Sequence, residues 1–112
     1  MPTITYTVAV SFRDPTVADD WLKWLVDGHI ADVIAAGALD AEIVELDGPH
    51  RSFEIRYHFR SRESFELYEK EHAPRLRAEG LKFFPPERGV TYRRTLGVVV
   101  NAGWDWLPRQ NE

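Results

Sequence analysis

An α+β domain with the element order βαββαβ is what the sequence predicts. Three observations predict it. Four segments have strand character, two others carry apolar residues at helical spacing behind a capping residue, and clusters rich in glycine, proline and aspartate separate them. The chain has 112 residues, the size of one domain with one core.

The first strand is residues 3–12. Ile4, Tyr6, Val8, Val10 and Phe12 fall on one side, and Thr3, Thr5, Thr7, Ala9 and Ser11 on the other. A helix follows, for which the sequence offers two starts: Asp14 as cap with Pro15 in the first turn, or Thr16 as cap with Asp19 three residues on. It runs past Trp21, Trp24 and Leu25 to Ala36, where Gly37 supplies the left-handed conformation that commonly closes a helix. Residues 38–47 and 51–60 read as an antiparallel hairpin around Asp47-Gly48-Pro49-His50. In its second arm Phe53, Ile55, Tyr57 and Phe59 share a face, and Ser52, Glu54, Arg56, His58 and Arg60 share the other. Ser61 caps a second helix carrying Phe65, Tyr68, His72 and Leu76, with Gly80 placed to end it. Pro74 removes a backbone donor and clashes with the turn before it, so a kink or break is expected near residues 71–73. Residues 90–100 form the last strand. The remaining tail, 101–112, contains Trp104 and Trp106 and fits neither period, so the expected division is a domain over 1–100 and a tail over 101–112.

This order is the ferredoxin-like arrangement, a four-stranded antiparallel sheet with two helices on one face. The apolar strand faces should meet the helices. The other face is left to Thr3, Thr5, Thr7, Glu54, Arg56, His58 and Arg93.

Composition narrows the function classes. Hydrophobic residues at 44% and charged residues at 29% are ordinary for a globular domain. With no cysteine, disulfides and thiolate metal sites are excluded; with no signal-like start and no apolar run of spanning length, the expectation is a cytoplasmic protein without a membrane partner. The net charge is −4 and the arginines are scattered among glutamates, which denies a nucleic-acid partner its electrostatic footprint. There is no glycine-rich phosphate loop, nucleophile elbow or Ser/His/Asp pattern, and no cofactor is implied.

Two histidines are the candidates for chemistry. On a helical wheel His29 falls among Leu22, Leu25, Val26 and Val33, and His72 falls between Phe65, Tyr68 and Leu76, so both imidazoles are expected to lean into one apolar space. A buried neutral imidazole needs a hydrogen-bond partner, which Tyr6, Tyr57 or Tyr92 can supply. On the functional reading, His29 and His72 act as acid/base or orienting groups. Trp21, Trp24, Leu25, Tyr57, Phe65 and Tyr68 wall the pocket, Arg93 is available for an anion, and the cavity reaches at least a few hundred Å3. The competing reading is a non-catalytic structural or interaction protein whose histidines and aromatics build core and interface. A metal site is not expected, because the two histidines lack local ligand spacing.

As a set, several short motifs resemble a bacterial family with no assigned activity in the dimeric α/β-barrel, ferredoxin-like superfamily. They are Tyr6-Thr7-Val8, Trp21-Leu22-Lys23-Trp24, His29-Ile30, Asp32-Val33, the strand around Tyr57, Glu71-His72-Ala73-Pro74, Leu76-Arg77, Glu79-Gly80 and Tyr92-Arg93-Arg94-Thr95. The resemblance spans residues 4–100 and departs at Ala31, where similar sequences carry proline after His-Ile. It implies a homodimer closed sheet against sheet. It also implies a cavity between sheet and helices, used elsewhere in the superfamily by cofactor-free monooxygenases, lactone isomerases, polyketide cyclases and haem-binding or haem-degrading proteins. The sequence supports the dimer independently through opposite charges on the uncovered face and the two-tryptophan tail.

Overall fold

The computed structural model describes residues 2–103. The tail tryptophans at 104 and 106, and the question of where the tail goes, lie outside them. Four strands, β1 (Ile4–Phe12), β2 (Asp40–Leu46), β3 (Arg51–Phe59) and β4 (Val90–Val98), form one sheet in the order β2-β3-β1-β4 with every pairing antiparallel. The ferredoxin-like arrangement follows, with both helical layers on one face.

Register decides what each face presents. Across the helix-covered face run the rows Ala41–Tyr57–Tyr6–Leu96, Ile43–Ile55–Val8–Arg94 and Glu45–Phe53–Val10–Tyr92. The outer face carries Asp40–His58–Thr5–Gly97, Glu42–Arg56–Thr7–Thr95 and Val44–Glu54–Ala9–Arg93. A strand's two-residue period makes this separation complete, since a slip by one residue would put Phe53 and Phe59 in water.

Local chemistry sets the helix boundaries. Asp14, not Thr16, is the cap of α1 (Pro15–Trp24): its carboxylate accepts from the Thr16 backbone N–H at 2.9 Å and from the Thr16 hydroxyl at 2.8 Å. The expected single first helix is in fact three pieces, α1, a π-helical turn (Leu25–His29) and α2 (Ile30–Ala35), closed by Gly37 at φ 132°. Ser61 caps α3 (Arg62–Glu71), accepting from the Ser64 N–H at 3.1 Å. The break at the proline is where the sequence places it. α3 stops at Glu71, and α4 (Ala73–Phe83) begins with Pro74 in its first turn, where the missing N–H would have been unpaired in any case. Gly80 does not end this helix. It sits inside α4, where an added Cβ would come to 3.4 Å of the Trp24 indole, so the glycine lets α4 lie close against that ring.

Two aromatic groups pin the helices to the sheet. Trp21 of α1 packs on Phe12 and Phe53 at centroid distances of 5.1 and 5.3 Å. Phe65 and Tyr68 of α3 pack on Phe59 at 5.3 and 5.1 Å. Val26, which the wheel places on the apolar arc, is 71% exposed. The π turn changes the angular phase of everything after Trp24, and a wheel drawn at 100° per residue does not follow it.

Candidate functional site

Between the two helical layers and the middle of the sheet lies a cleft. Val8, Val10 and Ile55 form its floor; Trp21, Leu25, Tyr57 and Tyr68 its inner walls; Trp24, Leu81 and Arg94 its outer part. The empty space amounts to about 550 Å3 when the open mouth is included, but the part that admits water-sized bodies is about 60 Å3. The smaller figure measures the closed interior, room for a few waters. It is well below the expected few hundred Å3, because Trp24 folds down between Gly80 and His29.

His29 reaches this cleft through the π turn. In an α-helix, residues five apart point about 140° away from each other. Here the Ile30 N–H bonds back to the Leu25 carbonyl in the i→i+5 pattern, so Trp24 and His29 sit one above the other, rings 4.3 Å apart and 22° from parallel. The imidazole Nδ1 is buried and has no hydrogen-bond partner among the described residues. Burial lowers the ring's pKa from 6.5 to about 4, against a weaker opposing pull from Asp32. At neutral pH the ring is uncharged. Its outer edge borders a shallow hollow lined by Asp27, Asp32 and Glu79.

Two guanidiniums complete the polar equipment. Arg77 of α4 donates from one terminal nitrogen to the Tyr6 hydroxyl at 3.0 Å and to Glu69, while its Nε is buried without a partner. Arg94 of β4 lies over the Tyr92 ring, 5.6 Å from its centroid. The phenols stay protonated: burial pushes the Tyr57 pKa well up and that of Tyr68 to about 12. The tyrosines expected to satisfy a histidine do not do so. Tyr92 donates to the Phe84 carbonyl at 2.8 Å, and Tyr6 is engaged by Arg77.

A family model described as "Domain of unknown function (DUF4286)" matches residues 3–99. The chain belongs to the DUF4286 family. No curated protein matches it. Among solved structures, this DUF4286 chain is similar to a dimeric ferredoxin-like protein from an uncultured marine organism, with 14% identity over 91% of this chain and 99% of that one and a TM-score of 0.69. A second dimeric ferredoxin-like protein from an uncultured marine organism matches with 19% identity over 91% of each chain and a TM-score of 0.62. SnoaB from Streptomyces nogalater, described as a cofactor-independent oxygenase, matches with 10% identity over 91% of this chain and 97% of that one and a TM-score of 0.64. At such identities the likeness is one of fold.

Of the residues singled out in the DUF4286 sequence, the structure brings His29, Trp21, Leu25, Tyr57 and Tyr68 together in the cleft and leaves three elsewhere. His72 does not share the space. The chain breaks there, with φ −128°, so the angular phase of Phe65 and Tyr68 is not carried through it; its Nδ1 lies 3.1 Å from an Arg75 nitrogen instead. Phe65 is core, buried against Tyr6 and Phe59. Arg93 points to the outer face in register with Ala9, and Arg94 takes the cleft side. Arg77 carries no signal in the sequence that singles it out, whereas Arg93 and Arg94 point to opposite sides of the last strand and alternation from Tyr92 assigns Arg94 to the helix side. Among the described residues, no group of three or more acidic or histidine side chains is arranged to hold a metal ion, and no helix is long and apolar enough to cross a membrane.

Proposed function

We propose that the cleft binds a small ring-bearing molecule and that His29 exchanges a proton with it. The observation that carries this reading is the buried Nδ1 of a neutral imidazole, with no partner among the described residues, in a cleft walled by aromatic side chains. An unpaired buried nitrogen costs about 1–3 kcal/mol, a cost that a ligand hydroxyl in that position would remove. With its pKa lowered to about 4, the ring stays neutral and meets a ligand hydroxyl as a hydrogen-bonding partner, and it takes up a proton only from a bound acid of comparable strength, such as a carboxylic acid. The fold shared with a protein described as a cofactor-independent oxygenase supports chemistry run by side chains alone.

The test uses 4-fluorophenol and fluorine NMR. Wild-type protein should shift and broaden the fluorine line, and His29→Phe, which keeps the stack on Trp24, should weaken binding at least fivefold with no fall in melting temperature at pH 7.5. Equal binding to both proteins removes His29 from the proposal, and binding to neither leaves the interaction-protein reading in possession.

The assembly belongs to the same proposal. The outer sheet face carries Asp40, Glu42 and Glu54 on its β2–β3 side, partly offset by Arg56 and His58, which pair with them, and Arg93 on its β4 side. A two-fold axis along the strands would lay the acidic half of one copy over the basic half of another, and two of the similar structures are described as dimeric. Sedimentation at micromolar concentration should give twice the chain mass, and Arg93→Glu should shift it toward one. A wild-type monomer at that concentration ends the proposal.

A further inference from the structure

We infer that the molecule bound in the cleft is an anion, an aromatic or similarly planar carboxylate whose charged group is held by Arg94. The inference rests on the cleft reading above and concerns the charge of the ligand.

The chain is acidic, with 18 carboxylate residues against 14 lysines and arginines. Yet among the described residues no carboxylate lines the cleft, while two guanidiniums do. That reverses the balance of the molecule at one place. Among the described residues Arg94 makes no ion pair; its guanidinium lies over the Tyr92 ring, and its charge weakly opposes the burial that raises the Tyr68 pKa. On the sheet it ends the row Ile43–Ile55–Val8–Arg94, so its stem crosses apolar floor and its cationic head stands at the mouth. A cation held at the edge of an aromatic pocket without a counter-ion is a binding element for a planar anion, because the guanidinium presents two parallel N–H groups that match a carboxylate.

Arg77 supplies the second observation. Its terminal nitrogen is committed to Tyr6 and Glu69, but its buried Nε is not, and that nitrogen together with His29 Nδ1 makes up the buried side-chain polar atoms left without partners among the described residues. Both belong to residues lining the same cleft. One is an obligate donor; the other, on a neutral ring, donates or accepts according to tautomer. A planar ligand whose carboxylate meets Arg94 at the mouth places its ring against Trp24 and Tyr57 and turns a further polar substituent toward these buried atoms. Because Trp24, Leu81 and Arg94 form the outer part, the ligand enters by displacing side-chain ends, not backbone.

The test compares four probes by fluorine NMR or, for acetate, by competition: 4-fluorobenzoate, 4-fluorobenzyl alcohol, 4-fluorobenzylamine and acetate. Wild-type protein should bind the benzoate about tenfold more tightly than the alcohol, as a charge-assisted pair at a solvent-facing arginine allows. It should not bind the amine, and acetate should compete only weakly because it has no ring. Arg94→Gln should reduce benzoate to the affinity of the alcohol without moving the melting temperature, and Arg93→Gln, on the opposite face, should leave benzoate binding unchanged. If the alcohol binds as well as the benzoate, or Arg94→Gln leaves benzoate unaffected, the anion inference is overturned while the cleft reading survives, provided His29→Phe weakens the alcohol. If no fluoroarene binds, both fall. If acetate competes as strongly as benzoate, the site is a simple anion site and the planar-ligand claim is wrong.

Discussion

Phe59→Ala should lower the stability of the protein by about 3–5 kcal/mol, the range for deleting a fully buried aromatic ring. Phe59 is 0% exposed at the centre of the second aromatic group, edge-on to Phe65 and tilted against Tyr68. Removing its ring forfeits the transfer free energy and leaves a hole that Phe65 and Tyr68 cannot fill, since both are tied to the sheet through Tyr6. A domain of this size has on the order of 5–15 kcal/mol in total, so the variant will be near the edge of folding at 37 °C. Urea unfolding followed by circular dichroism measures the difference from the midpoint at constant slope. Leu67→Ala, on the outer side of α3 at 60% exposure, serves as the comparison and should cost under about 0.5 kcal/mol. Equal losses for the two would mean that the core has been assigned wrongly.

Acidification should destabilise the wild-type protein through His29 and leave His29→Phe much less affected. Burial lowers the imidazole pKa to about 4 in the folded chain, whereas the unfolded chain binds the proton near 6.5. The unfolded state therefore takes up the proton first, so this group's contribution is intact above pH 6.5 and is lost progressively as the pH falls toward 4. At about 1.4 kcal/mol per tenfold change in proton affinity, the loss is bounded at about 3 kcal/mol; solvent at the partly open ring brings the expected value nearer 2 kcal/mol. The charged groups around the ring are Asp27, Asp32 and Glu79 on its outer side and Arg77 and Arg94 across the cleft. All remain in the variant, so subtracting the two stability-against-pH curves between pH 7.5 and 4 isolates the histidine. At pH 7.5 the phenylalanine variant should be as stable as the parent or more so, because it removes an unpartnered buried nitrogen and keeps the stack on Trp24. Parallel curves would show that the ring is not buried as described. A large loss at neutral pH would show that His29 is a structural residue.

The second result bears directly on why a histidine stands at position 29. A side chain that lowers stability at mild acidity and satisfies no bond within the fold is unlike one selected for packing. His72 makes the contrast. It has the same apparent position on its wheel, yet it lies at a helix break beside Arg75 and outside the cleft lining. On a helical wheel the two look alike, because a wheel carries one angular phase through the whole segment and takes no account of a break. The proline that breaks the second helix was visible, and its consequence for the phase of His72 was there to be drawn. The π turn in the first helix was not visible, because no residue in Leu25–His29 requires it.

The order of elements, the antiparallel sheet, the faces of β1 and β3 and the helix start at Ser61 follow from the sequence by itself, and it narrows the first helix start to Asp14 or Thr16. Each depends on a local period or on a side chain within three residues of the backbone group it caps. Tertiary structure alone decided three things: that Trp24 stacks on His29, that Arg94 and Arg77 rather than Arg93 and His72 share their space, and how narrow that space is. The reason is physical. Those outcomes depend on helical phase after a π turn and a break, and on the close approach of α4 to Trp24 that Gly80 permits. The pairing that sets Arg94 beside Val8 joins residues 86 positions apart in sequence, and no local pattern encodes the distances across the cleft.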